Sequence, residues 1–381
     1  VRRAGEAERD RLHRTFETLC RIESPSGQER ACADWVAEEL RAMGLEVDED
    51  GAGPAAGSDA GNLLARIPGA TGLSLLLCAH LDTVPPTAPV EPERINGGWQ
   101  NRNPAILGAD NKAAVAAMIE LARRLTGGEA PPAGVELLFT VSEENGLRGA
   151  ANFDVGRLTS AFGYVFDHAS PIGEMVMAAP TYQRFQVELG GRAAHAGIRP
   201  EEGRSAIFAA ARAIAGLPLG RLDEVTTCNV GVIAGGTATN VVPERCTVEG
   251  EVRGHDDARV ESVLTEVIDA FQDAADGAEC DLDVVVERVF RGYRVSPREP
   301  AVALAEQALR ACGYTPRPIT TGGGADANVF RLAGFPCVNL ADGSERNHQP
   351  DERISSEALE GLLELMIELV SGLPRMGMRT A

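Results

Sequence analysis

His80 and Asp82 end the stretch SLLLCAHLD, where an apolar run of strand type stops at an imidazole and a carboxylate. In an extended chain residues i and i+2 share a face, so the two side chains can point the same way. A metal-bound imidazole commonly donates its second N–H to a carboxylate, which fixes the ring. The pair therefore fits a ligand, His80, with its orienting group, Asp82. The arrangement recurs along the chain. Asp110 follows PAILGA and precedes a helical stretch, Glu143 and Glu144 follow ELLFTVS, Asp167 follows GYVF, and His348 follows CVNLADGSERN. Adjacent residues diverge in extended backbone, so one of Glu143 and Glu144 can bind a metal while the other faces a substrate as a base. Asp110 has two oxygens and can bridge two metals. Singly, each group has an ordinary structural reading: a salt-linked His–Asp pair, a solvated Glu–Glu turn, a helix N-cap, a capped turn, an exposed loop histidine. Five strand ends or post-strand loops carrying such groups together point to metal chemistry.

These groups need a scaffold that gathers strand ends. In open α/β sheets, ligands sit beyond the carboxyl ends of the strands. Residues ~5–21 and ~28–43 have amphipathic helical patterns. GAGPAAGSDAG, 51–61, reads as a Gly/Ala loop, and a helix is expected from about Lys112 to Leu125. NLLARIPG, SLLLCAH, GVELLFTVS and FGYVFDH read as strands, several apolar on both faces, as in a largely parallel sheet. The middle of the chain is different. From ~181 to ~291 the order is βαββαβ, the split arrangement of the ferredoxin-like fold. After RGYRVSPREP the helix–strand alternation returns, ending in a helix at ~353–373. The expected architecture is an α/β catalytic domain of 1–180 and 292–381, interrupted by an inserted ferredoxin-like α+β domain of 181–291. The linkers near 180 and 292 are read as hinges.

The 381 residues suffice for two or three domains with a large core. A net charge of −20 disfavours nucleic acid and anionic membranes as partners. No apolar run reaches the ~18 residues of a membrane span. The polar start VRRAGEAERDRLHRTFETLC has no signal-peptide core. Eight scattered cysteines without a C-x-x-C pair read as reduced thiols, and a cytoplasmic location is expected. Of the 36 basic residues one alone, Lys112, is a lysine, and it lies two positions from Asp110.

The ordered set HLD (80–82), GADNK (108–112), SEENG (142–146), VFD (165–167) and NH (347–348) resembles the di-zinc M20 metallopeptidase family. YVFDHASPIGEMVMAAP is especially similar to its peptidase T-like, tripeptide aminopeptidase-like branch. The likeness runs from RIESPSGQE to His348 and includes the inserted domain as a lid. It implies that His80, Asp110 and Asp167 bind one metal, and that Asp110, Glu144 and His348 bind the other. It makes Glu143 the general base and Asp82 the orienter of His80. The implied cofactor is two Zn2+, with Mn2+ or Co2+ as substitutes. Lys112 belongs to the G-x-D-x-K pattern, and Asn111 departs from the aspartate common in relatives.

In the lid, the resemblance makes His195 of GRAAHAG an oxyanion stabiliser that reaches the partner subunit's site, hence a homodimer through the lid. Arg253 of EVRGHD would grip a substrate carboxylate, Asn240 of GGTATNVVP would contact substrate, and Gly322, Gly323 and Gly324 of TTGGGADANVF would offer N–H groups to it. Their ordinary readings are turn residues, a surface arginine and a flexible loop. The implied activity is exopeptidase cleavage of short peptides, with an aminopeptidase favoured because Asp167, not Glu, is the third ligand. The alternatives are an N-acyl-amino-acid amidohydrolase or a carboxypeptidase of the same family, and, in another class, a non-catalytic metal- or peptide-binding dimer, which the intact ligand set opposes. His13, on the exposed face of the first helix, His168, pointing away from its neighbouring ligand, and His255, in a turn, are set aside. Cys78 is assigned to the core.

Overall fold

A computed structural model describes residues 3–377. The chain divides into two compact units. One comprises the residues up to Met177, Arg294–Thr320 and the chain from Ala325 onward; the other is Ala178–Tyr293 with Thr321–Gly324.

At the centre of the first unit four strands lie side by side in the order Gly134–Thr140, Ser74–His80, Gly163–Phe166, Cys337–Leu340, all parallel. Apart from Ser74 every residue in them is buried. This is why they read as continuous apolar runs: helices cover both faces of such a sheet. The parallel character stops there. Leu63–Ile67 and Val47–Glu49 add antiparallel strands on one side, and Glu174–Ala179 runs antiparallel to Cys337–Leu340 on the other.

Ala109–Thr126 is the most deeply buried of the covering helices and packs against both Glu6–Arg21 and Ser356–Gly377. Its alanine-rich sequence, apolar all round, suits a central position. The helix starts three residues earlier than its periodicity predicts, but Asp110 and Asn111 do not have helical φ/ψ. They follow Gly108 in the left-handed region (φ 78°), which a glycine adopts without a Cβ clash. The Gly/Ala loop also contains a one-turn helix, Gly53–Ala56. His13 is buried, contrary to expectation. Its Nε2 lies 3.1 Å from Glu360 on the closing helix, and its ring stands edge-on to Trp99. The moment of an isolated helix could not reveal that two other elements close over this face.

A separate antiparallel sheet of four short strands has no counterpart in the sequence-based expectation. Its order is Ser344–Glu345, Arg353–Ser355, Gly98–Asn101, Pro92–Ile95. It anchors the hairpin whose loop carries His348.

The second unit is an antiparallel sheet in which Thr181–Gly190 lies between Arg245–Gly254 and Asp281–Phe290, with Thr227–Gly235 beyond Arg245–Gly254. Numbered along the chain, the spatial order is 2-3-1-4, the ferredoxin-like arrangement. A two-residue strand, Gly220–Arg221, adds an edge. TYQRFQVELG alternates buried and exposed from Phe185 to Leu189, the mark of a sheet packed on one face. That face meets the helices Ala206–Gly216 and Asp257–Ala278 over a core that includes Phe185, Leu189, Val248 and Phe271. Both helices start on side-chain caps, Ser205 accepting from the Phe208 N–H and Asp256 from the Ala258 N–H. Truncating Phe271 to alanine would cost about 3–5 kcal/mol. Among the described residues no helix is long and apolar enough to cross a membrane.

Candidate metal centre

His80 closes one central parallel strand, Glu143 and Glu144 follow the next, and Asp167 follows a third. Asp110 stands at the broken start of the buried helix, and His348 on the hairpin loop. Ligand-type atoms come together in three overlapping groups, each with all atoms within 4.8 Å of one another: His80, Asp110 and Asp167; His80, Glu143 and Glu144; Asp110, Glu144 and His348. Asp110 joins two of them with different oxygens. Its Oδ1 is 3.1 Å from His80 Nε2, and its Oδ2 is 3.5 Å from His348 Nε2. His348 Nε2 is also 2.8 Å from Glu144, and His80 Nε2 is 3.7 Å from Asp167. His80 Nδ1 donates to the Asp82 carbonyl at 2.9 Å, so in a neutral ring Nε2 is the free lone pair and the available ligand atom.

The electrostatics of this cluster demand positive charge. Burial opposes ionisation of His80, but hydrogen bonds to Asp110, Asp167 and Asp82 outweigh it and hold its pKa well above the usual imidazole value. Bonds to Asp110 and Glu144 raise His348 to about 10. Burial would push Asp110 up, yet His348 and His80 bring it below the ordinary carboxylate range. Burial raises Glu144 to about 7 against the opposing His348 bond. Glu143 is raised well above a normal glutamate by burial and by the charge of Asp167. Without a cation, the imidazoles supply the charge through protons that a cation would displace. Asp167 Oδ2 is buried with no hydrogen-bond partner. Imidazole nitrogens with carboxylate oxygens are the donor set of zinc and its neighbours. The residues present thus fit a two-ion centre.

Asp82 does more than face His80. Its Oδ1 is 3.4 Å from Nδ1, farther than its own carbonyl. The carboxylate accepts the N–H of Glu143 at 3.0 Å, the N–H of Glu144 at 3.1 Å and the Ser26 hydroxyl at 2.7 Å. Asp82 therefore orients the His80 imidazole through its carbonyl and the backbone of both glutamates through its carboxylate. Lys112 is buried and donates to the Ile22 carbonyl at the end of the first helix. His168 lies 3.8 Å from Glu174, and the Cys78 thiol is buried 4.0 Å from Asp326.

The other sequence-predicted residues belong to the second unit. His195 and Asn240 are exposed neighbours: residues 195 and 241 form a bridge, and Ala196 N–H donates to the Asn240 carbonyl. Gly197 N–H donates to His195 Nδ1 at 3.2 Å, which leaves Nε2 as the N–H end of the neutral ring. Arg253 is held by Glu251 at 3.0 and 3.3 Å, by the Gly322 carbonyl at 3.3 Å, and by stacking 4.1 Å from the Tyr182 ring centre. His255 donates to the Thr321 carbonyl. Gly323 N–H bonds Thr321 Oγ1. A Cβ on Gly324 would meet the Phe290 ring at 2.2 Å, so close packing alone requires that glycine.

Residues 76–372 match the family described as Peptidase family M20/M25/M40. The chain belongs to this family. It is similar to the uncharacterized protein YqjE of Bacillus subtilis, 34% identical over 94% of this chain and 97% of that one. It is also similar to two solved structures. One is the aminopeptidase PepT of Bacillus cereus, with TM-score 0.84, 35% identity, and 96% of this chain and 99% of that chain covered. The other is a tripeptidase of Staphylococcus aureus, with TM-score 0.90, 34% identity and the same coverage. This M20 chain is accordingly a metallopeptidase, a hydrolase acting on peptides.

Sequence reading of this M20 peptidase missed the residues that hold the ligands. Asn339 accepts the Asp167 N–H at 3.0 Å and donates to the Asp167 carbonyl at 2.9 Å. Its signal was available: a lone amide in the apolar strand CVNL has to be partnered. Buried Glu29 accepts the Ser142 N–H at 3.0 Å, Asn347 donates to Asp110 Oδ2 at 3.0 Å, and Asp326 accepts from Thr140 at 2.5 Å. Glu29 ends the RIESPSGQE stretch and Asn347 belongs to the NH pair of the resemblance, but the sequence alone assigns a role to neither.

Proposed function

We propose that this M20 peptidase is a two-zinc aminopeptidase that removes the first residue of short peptides, tripeptides above all. The observation that carries the reading is Asp110 facing both imidazoles with different oxygens, the signature of a bridging ligand. His80, Asp110 and Asp167 would hold one ion, and Asp110, Glu144 and His348 the other. Bound ions of this kind polarise a carbonyl and lower the pKa of water. Glu143 accepts the water proton on its carboxylate and delivers it to the leaving amine. Asp82 fixes His80 and the Glu143–Glu144 backbone. His195, with Nε2–H outward, donates to the oxyanion in a second copy of the chain, and the working form is a homodimer through the ferredoxin-like unit. Arg253, preset by Glu251 and Tyr182, grips the peptide carboxylate; Asn240 and the Gly323–Gly324 backbone line the substrate. The location is cytoplasmic. Support for the amino-terminal specificity comes from Asp167 as third ligand and from the aminopeptidase and tripeptidase descriptions of the two similar structures.

The test is to load the protein with Zn2+ and follow a free tripeptide and its N-acetylated twin by mass spectrometry. The expected result is loss of the first residue from the free peptide alone. Cleavage of the acetylated twin alone would overturn the aminopeptidase reading in favour of an N-acyl-amino-acid hydrolase.

A further inference from the structure

We infer that Glu352 is a positioning residue for the second ligand pair, tying the turn that carries Asp110 to the hairpin that carries His348. Glu352 is 2% exposed. Its Oε2 accepts the Leu107 N–H at 2.8 Å and the Gly108 N–H at 2.9 Å, and its Oε1 accepts the Asp110 N–H at 2.9 Å. Three N–H groups of one turn thus converge on one carboxylate. That turn does not hold itself. Gly108 is left-handed, and Asp110 and Asn111 lie outside helical φ/ψ. Their N–H groups have no preceding helical turn to bond to, so an outside acceptor fixes them. Glu352 comes from the far side of the sequence, four positions after His348. The hairpin strand that begins at Arg353 pairs with Gly98–Asn101, the last strand before this turn. Glu352 therefore sets the distance between Asp110 and His348, the bridging ligand and the ligand peculiar to the second set. A glutamine cannot replace it, because its NH2 would present donors to a donor on one side.

The inference rests on the two-metal reading, and the experiment separates the two. Apoprotein is titrated with Zn2+ against a competing chromophoric chelator for the wild type, E352Q, E352D and E120Q. Glu120 is the structural control. It is buried, bonded to Arg11 and Arg123, and ten residues, about 15 Å, farther along the same helix. E352Q is expected to weaken Zn2+ binding about 10–100-fold at the site that also needs His348, and by less at the other, which shares only Asp110. E352D keeps the charge but shortens the reach and is expected to fall in between. E120Q is expected to lower Tm without changing either affinity. Amide exchange on the apoproteins is the second readout: protection at Leu107, Gly108 and Asp110 falls in E352Q and not in E120Q. Folded E352Q with both Zn2+ affinities unchanged overturns the inference. So does a loss shared by E352Q and E120Q in proportion to Tm. A wild type that binds no Zn2+ overturns the two-metal reading instead, while the exchange data still show whether Glu352 holds the turn.

Discussion

The strand-end cluster and the lid residues present their functional groups in opposite ways. His80, Asp82, Asp110 and Glu143 are buried, and the backbone of the cluster, with that of Asp167, is held by Asp82, Glu29, Asn339 and Glu352. His195 and Asn240 are exposed, and what holds them is a turn and a bridge between neighbouring strands. A buried charge without partners costs several kcal/mol, so the cluster is preorganised or it does not fold. An exposed imidazole pays no such penalty and can await its partner, whether substrate or second subunit. Arg253 is intermediate, half-buried and already paired with Glu251, with which the substrate carboxylate of the proposed reading would have to compete. The cluster is thus specified by one chain, whereas in the proposed homodimer His195 and Asn240 would acquire their role only on assembly.

The strongest way to break this comparison is at the base. Glu143→Gln should lower kcat about 10²–10⁴-fold with Zn2+ stoichiometry unchanged by elemental analysis. A fully active variant would remove Glu143 from the chemistry. Next comes His195→Ala, expected to lower kcat about 10²–10³-fold without altering metal content. Mixing it with Glu143→Gln after dissociation and reassociation should recover activity that neither parent has, because a mixed dimer contains one site with both groups intact. No recovery would place His195 in its own subunit's chemistry or in none.

The smallest effect probes Asp326, buried beside the cluster. Burial raises the Asp326 carboxyl to about 7, and its Oδ1 is buried without a partner. The folded apoprotein keeps a proton there that the unfolded chain, with an aspartate near 3.9, has released at neutral pH. Stability is therefore lost as pH climbs from about 4 to about 7. Asp326→Asn, which can still accept from Thr140, should raise the apoprotein Tm by a few degrees at pH 8 and leave it unchanged at pH 4. An equal gain at both values would show that packing, not the charge, is responsible.

Much of the fold is legible in the residues. Strands buried on both faces show as unbroken apolar runs, and the βαββαβ order of the inserted unit follows from alternation and helical period. The candidate ligands are legible because imidazoles and carboxylates are out of place at the ends of such runs. The small sheet holding the His348 hairpin was not legible, since strands of two to four residues have no period to detect. Lys112 attracted notice by its rarity, but the partner it reaches, the Ile22 carbonyl, could not be foreseen.

By itself the sequence determined which atoms can bind a cation or carry a proton, because those properties belong to side-chain type and to the strand or helix that local pattern imposes. Tertiary structure alone decided which of them meet and what holds them there. Glu352 and Gly108, 244 positions apart, are joined only when a hairpin pairs with a distant strand. Such a contact depends on the burial of everything around it, so no local pattern records it.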